Sequence, residues 1–158
     1  MGQKVARGGL LVALAFVFGY LESLLPFSIG IPGIKLGIAN IVVLFALYKA
    51  DLPTAVVISL VRAILGGFTF GSPSMIFYSL AGAALSLLVM WLCKKTTLFS
   101  PVGVSIAGGV AHNIGQCFVA ALFLSPAAVF SYLPLLLVVG AITGTAIGAI
   151  GTIIIRRV

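Results

Sequence analysis

Carboxylates are nearly missing from this chain: among 158 residues only Glu22 and Asp51 are acidic. They stand about one and a half helices apart in sequence. That excludes paired-carboxylate catalysis and the aspartate-rich clusters that hold Mg²⁺ on a diphosphate. There is a single histidine, His112, and the two cysteines, Cys93 and Cys117, have no CxxC or other metal-like spacing. A metal site is therefore not expected, and both cysteines read as small apolar core residues. No Walker A loop is present, so the usual P-loop route to ATP hydrolysis is closed. Charged residues of either sign make up 7% of the chain, too few to coat a water-soluble domain. No catalytic residue and no cofactor are expected.

What fills the sequence instead is hydrocarbon. Apolar residues make up 62% of it and the mean hydropathy is +1.34, where a soluble domain is roughly half apolar and a quarter charged. The chain reads as an all-α integral membrane protein, a single transmembrane domain over residues 1–158. Each crossing needs about 20 residues, and six spans fit at about 8 to 25, 36 to 48, 53 to 70, 74 to 93, 101 to 124 and 132 to 155. The second is short for a full span. The segment before it, residues 26–35 (PFSIGIPGIK), has two prolines and two glycines and is expected to be a structured loop, a candidate lid. Lys4 and Arg7 ahead of the first apolar run resemble the start of a signal peptide. The absence of a small-residue cleavage site after it favours a retained span.

The net charge of +7 does not point to nucleic acid, because the nine basic residues are scattered singly or in pairs between apolar runs. With the N-terminus in the cytoplasm, the inner segments hold Lys4, Arg7, Lys49, Lys94, Lys95, Arg156 and Arg157, and the outer loops hold only Lys35. This is the positive-inside pattern; it predicts an even number of spans in the plasma membrane with both termini inside. Small residues recur at intervals of four: Gly9 and Ala13, Ala15 and Gly19, Ala107 and Ala111, then Gly140, Gly144 and Gly148. Such stripes let helices approach closely, either within the bundle or against a partner subunit.

Polar residues inside spans are costly in hydrocarbon, which makes the exceptions informative. Arg62 and His112 fall near mid-membrane, Glu22, Asn40 and Gln116 in the outer half, and Lys35 at the outer boundary. Their shared depth predicts a polar pocket opening outward. In the fifth span His112, Asn113 and Gln116 form HNxxQ, with His112 and Gln116 on one helical face. Arg62 and Lys35 have only Glu22 as counter-ion in the pocket. Two arrangements stay open: Arg62 bridges Glu22, or the basic groups face an anionic ligand such as a carboxylate, phosphate or diphosphate.

The stretches IPGIKLGIANIVVLFALYKAD, VRAILGGFTFGSPSMIFYSLAGAALS and GGVAHNIGQ resemble a family known both as heptaprenyl diphosphate synthase component I and as the Gx transporter family. The resemblance covers nearly the whole chain. The layout of six helices with cytoplasmic ends and a proline-rich first outer loop is also similar to the substrate-binding S components of energy-coupling factor (ECF) vitamin transporters. That likeness implies a small-molecule pocket near the outer surface, capped by the loop between the first two helices and lined by Lys35, Asn40, Arg62, His112, Asn113, Gln116 and Glu22. It also implies a docking face of Gly9, Ala13, Ala15 and Gly19 on the first helix for a transmembrane coupling subunit, with ATP hydrolysis supplied by cytoplasmic ATPase subunits. The ligand would be a small vitamin-, flavin- or isoprenoid-like molecule. The synthase name implies instead an accessory membrane subunit of polyprenyl diphosphate synthesis, non-catalytic because the chain has no acidic cluster.

Overall fold

A computed structural model of the chain describes residues 2–24, 37–123 and 126–158. Among these, six helices follow in order: α1 (Gly2–Leu24), α2 (Asn40–Lys49), α3 (Leu52–Thr69), α4 (Pro73–Thr96), α5 (Pro101–Phe123) and α6 (Pro126–Arg157). Prolines sit in the first turn of α3, α4, α5 and α6, where a missing N–H costs nothing and the fixed φ suits the helix. Asp51 caps α3, its Oδ1 accepting the Thr54 N–H at 2.9 Å.

Five of the helices, all but α2, are long and apolar enough to cross a membrane. The chain is a multi-pass membrane protein. The expected second span is the exception: α2 has ten residues, about 15 Å of helix against roughly 30 Å of hydrocarbon. Its burial explains how so short a piece persists. Ile41, Val42, Val43, Leu44, Ala46 and Leu47 are all buried, so α2 is apolar around its whole circumference because neighbours surround it. It packs on α1, α3 and α6, and its side chains join Ala15, Ala55, Ile58, Leu87, Met90 and Val104 in the main core.

Helices α3 to α6 form an antiparallel series held by glycines. Gly115 of α5 rests against the Ala81 carbonyl of α4, so close that a Cβ there would come within 2.6 Å of the oxygen. The stripe Gly140, Gly144 and Gly148 does the same on the other side of α5: a Cβ on Gly144 would lie 2.8 Å from both the Ile106 Cα and the Ser105 carbonyl, and one on Gly148 2.8 Å from the Val102 Cα. This stripe is therefore used inside the bundle, backbone against backbone. Hydrocarbon supplies no hydrophobic drive between helices, so such close contact supplies the packing energy instead.

Helix α6 begins earlier than the hydropathy pattern indicates and runs through Pro134 for 32 residues, about 48 Å. Pro134 gives up one backbone hydrogen bond; Val129 and Leu136 on either side of it pack with Cys117 of α5 in a second buried cluster, which offsets the loss. At one end of the bundle the basic residues gather. Lys4 lies 3.9 Å from Asp51, Lys94 donates to the Leu47 carbonyl at 2.5 Å and sits over the Tyr48 ring, and Lys95 stands 3.9 Å from the centre of the Trp91 ring. The contact of Gly148 with Val102 sends the last turns of α6, with Arg156 and Arg157, past the start of α5 at this same end.

Candidate functional site

Arg62 lies in the middle of α3. Its side chain is half-buried overall, while its Nε is cut off from solvent and has no hydrogen-bond partner among the described residues. A guanidinium in a low-dielectric bundle carries a desolvation penalty of several kcal/mol unless it is paired. Glu22 of α1 acts on it electrostatically, but the two form no ion pair within 4.0 Å. Glu22 is engaged elsewhere: its Oε1 accepts the backbone N–H of Gly37 at 2.6 Å.

Gly37 explains that geometry. Its φ of +72° places it in the left-handed region, which a side chain would disfavour. A Cβ there would also come to 3.1 Å from both the Asn40 amide nitrogen and Ile147 of α6. The Asn40 N–H in turn bonds to the Gly37 carbonyl at 2.7 Å and starts α2. Glu22, Gly37 and Asn40 thus tie the end of α1 to the start of α2 and to α6. Arg62, whose Nε has no partner among the described residues, stands beside this junction.

The HNxxQ group separates into two directions. His112 and Gln116 both press on Gly82 of α4, where an added Cβ would meet the imidazole at 2.9 Å and the Gln116 Cγ at 3.0 Å. Asn113, about 100° further round the helix, is buried and donates its amide to the Leu136 carbonyl of α6 at 2.5 Å. Gly140, one turn beyond Leu136, leaves the space this amide occupies, since a Cβ there would lie 2.7 Å from Asn113 Nδ2. Asn113 is placed as a bridge between α5 and α6.

The seven sequence-predicted ligand residues therefore fall into distinct places. Glu22, Asn40 and Arg62 cluster around α1, α2 and α3; His112 and Gln116 share the α4 face; Asn113 turns to α6; Lys35 and the loop 26–35 lie outside the described residues. The two groups do share a depth. Gly67 of α3 abuts Ile76 of α4, so Arg62, five residues before the one, is level with Ala81, five residues after the other. Ala81 and Gly82 are the residues that meet Gly115 and His112. The sequence pattern did not single out Gly37 or Gly82, because their flanking residues are all apolar; Glu22 and Asn40 at the one, and His112 and Gln116 at the other, are brought there by the fold.

The predicted docking set on α1 also divides. Ala15 is fully buried in the main core, and Gly19 sits against the Phe70 ring. These two serve packing within the chain. Gly9 and Ala13 are exposed, with nothing within 4 Å of where a Gly9 Cβ would stand. The pairs are six residues apart, which rotates one about 120° from the other on the helix.

A family model described as heptaprenyl diphosphate synthase component I matches residues 11–154, all six helices except the outermost turns of α1 and α6. No curated protein and no solved structure matches the chain.

Proposed function

Because the chain belongs to the heptaprenyl diphosphate synthase component I family, we propose that it is a non-catalytic membrane subunit that captures a small anionic ligand beside Arg62 and works with separate protein components. The observation that carries this reading is the Arg62 guanidinium: half-buried, with a solvent-excluded Nε that has no partner among the described residues, next to a Glu22 carboxylate already engaged by a backbone N–H. An anionic carboxylate, phosphate or diphosphate is the group that such a site recognises best. Level with it, His112 and Gln116 supply further polar atoms. Lys35, at the outer boundary by sequence, adds a second positive charge in this reading.

In the transporter version, the ligand enters from the extracytoplasmic side in the manner of an ECF S component, and the exposed Gly9 and Ala13 of α1 meet a coupling subunit joined to cytoplasmic ATPases. The basic end of the bundle then faces the cytoplasm of the plasma membrane by the positive-inside rule. A second version is favoured by the family's name: an accessory component of heptaprenyl diphosphate synthesis, which needs a catalytic partner because this chain holds only two acidic residues to bind Mg²⁺-diphosphate.

The first experiment is mass spectrometry of small molecules retained by gently purified protein, wild type against Arg62→Gln. A charge-assisted hydrogen bond is worth about 1.5–3 kcal/mol, so ligand occupancy should fall about 10- to 100-fold in the variant. Unchanged occupancy would overturn the role of Arg62. Affinity capture from solubilised membranes separates the two versions: ATPase and coupling subunits support transport, whereas a soluble prenyltransferase whose activity depends on this chain supports the synthase accessory.

A further inference from the structure

A groove of about 330 Å³ runs between α3 and α4 on the outside of the bundle, lined on one wall by Leu52, Val56 and Leu60 and on the other by Ala84, Leu88 and Trp91. Leu60 and Leu88 are exposed, so the groove opens sideways toward the surrounding hydrocarbon. Between the levels of Leu60 and Leu52 it extends about 12 Å along the helix axis. Its lining is apolar almost throughout, which suits a hydrocarbon chain and not a polar solute.

One end of the groove is charged. Leu52 and Trp91 mark the end that coincides with the basic pole of the molecule, and there the two adjacent lysines have different settings. Lys94 is turned inward, its ammonium on the Leu47 carbonyl and over Tyr48. Lys95 is exposed and stands over the Trp91 ring at 3.9 Å, a cation at the groove mouth; the acidic residue at this end, Asp51 before Leu52, lies 3.9 Å from Lys4, so Lys94 and Lys95 leave the end net positive. An apolar slot about 12 Å long ending at a cation complements one kind of molecule, an amphiphile with a hydrocarbon chain and an anionic head.

We infer that the α3–α4 groove is a binding site for an anionic phospholipid of the bilayer, one acyl chain lying between Leu60 and Ala84 and the phosphate resting at Lys95. The site is separate from the Arg62 junction and does not depend on it. The indole of Trp91 forms the wall at the head end, and a basic residue at this depth favours an anionic lipid about fivefold over a neutral one.

Trp91 is the single tryptophan of the chain, which makes the test direct. The full-length protein is placed in bilayers containing either phosphatidylglycerol or phosphatidylcholine with brominated acyl chains, and Trp91 fluorescence is followed as the brominated lipid fraction rises. The expected result is half-maximal quenching at an about fivefold lower mole fraction for phosphatidylglycerol. Lys95→Gln should remove that preference and keep the quenching, while Ala84→Phe, which fills the groove, should weaken quenching by both lipids. Equal quenching by the two lipids at every fraction would overturn the proposal, as would no quenching by either, which would mean that something other than lipid covers the groove. Displacement of brominated phosphatidylglycerol by an equimolar isoprenoid diphosphate would also overturn it, by assigning the groove to that amphiphile. Circular dichroism of each variant checks that it remains folded, and a third variant, Leu88→Ala, widens the groove without a charge change and should retain the fivefold preference.

Discussion

Helices α4 to α6 and helix α1 are made of similar residues but are held in unlike ways. In the first region, glycines bring backbones together: Gly115 on the Ala81 carbonyl, and Gly144 on Ile106 and Ser105, at distances that leave no room for a methyl group. In α1 the only buried residue is Ala15, and Gly8 and Gly9 have open space around them. The same small side chains serve opposite ends. In the interior they are consumed by packing within the chain, and on α1 they leave a smooth, unfilled surface. Spacing alone does not separate the two uses, because a stripe of small residues has the same form whether its partner is in the chain or outside it.

The contrast can be broken from the inside. Replacing Gly144 with Val should have the largest effect, because the clash is with backbone and cannot be relieved by a side-chain rotation; overpacking of this kind costs about 1–3 kcal/mol or more. It would be read as a lowered midpoint of thermal unfolding in detergent. Asn113→Ala should cost less, about 0.6 to 1.7 kcal/mol, the range for interhelical hydrogen bonds within membranes, and a double-mutant cycle with Gly140→Ala should show coupling, since Gly140 frames the same amide. Smaller again is the tie that holds α1 at its base. Asp51 is held below the usual carboxylate range by hydrogen bonds from the Thr54 side chain and backbone N–H, with a lesser contribution from Lys4. Its folded-state value is thus the lower one, so its stabilising effect is complete above the unfolded value near 4 and disappears as pH falls through the depressed folded value. The melting midpoint of the wild type should drop over that acidic window, and Asp51→Asn should flatten the drop. The smallest expected change is in Gly9→Leu and Ala13→Leu: stability within about 0.5 kcal/mol of wild type. If α1 is the docking face, capture of partner subunits by those two variants should fall while the melting curve stays in place.

Much of the helical layout was legible because membrane crossing imposes length and apolarity on a segment regardless of its neighbours. Leu52–Thr69 and Pro101–Phe123 lie within a residue of where hydropathy placed them. Two features were not legible for a common reason, which is that each depends on contacts remote in sequence. Residues 40–49 look like part of a crossing helix until their burial on every side shows a short central one. Residues 126–131 fall outside the span that hydropathy places at 132 to 155, until α6 is seen to begin at Pro126 and Cys117 to pack on Val129 and Leu136. The candidate site followed the same logic. That Arg62 was anomalous followed from its position in an apolar run, but the commitment of Glu22 to Gly37 and the turning of Asn113 toward α6 depend on side-chain direction and on a left-handed glycine, which periodicity does not encode.

The length of α6 has a consequence for where the protein can work. At about 48 Å it exceeds a hydrocarbon layer of roughly 30 Å by more than half, and its close seam with α5 prevents it from tilting alone. The whole α4–α6 unit must lean together, or the Arg156 and Arg157 end must stand clear of the bilayer. Membrane thickness therefore becomes a mechanical input: a thicker bilayer draws the basic pole down toward the headgroups, and a thinner one lifts it away, changing how far those arginines reach toward whatever waits at the surface.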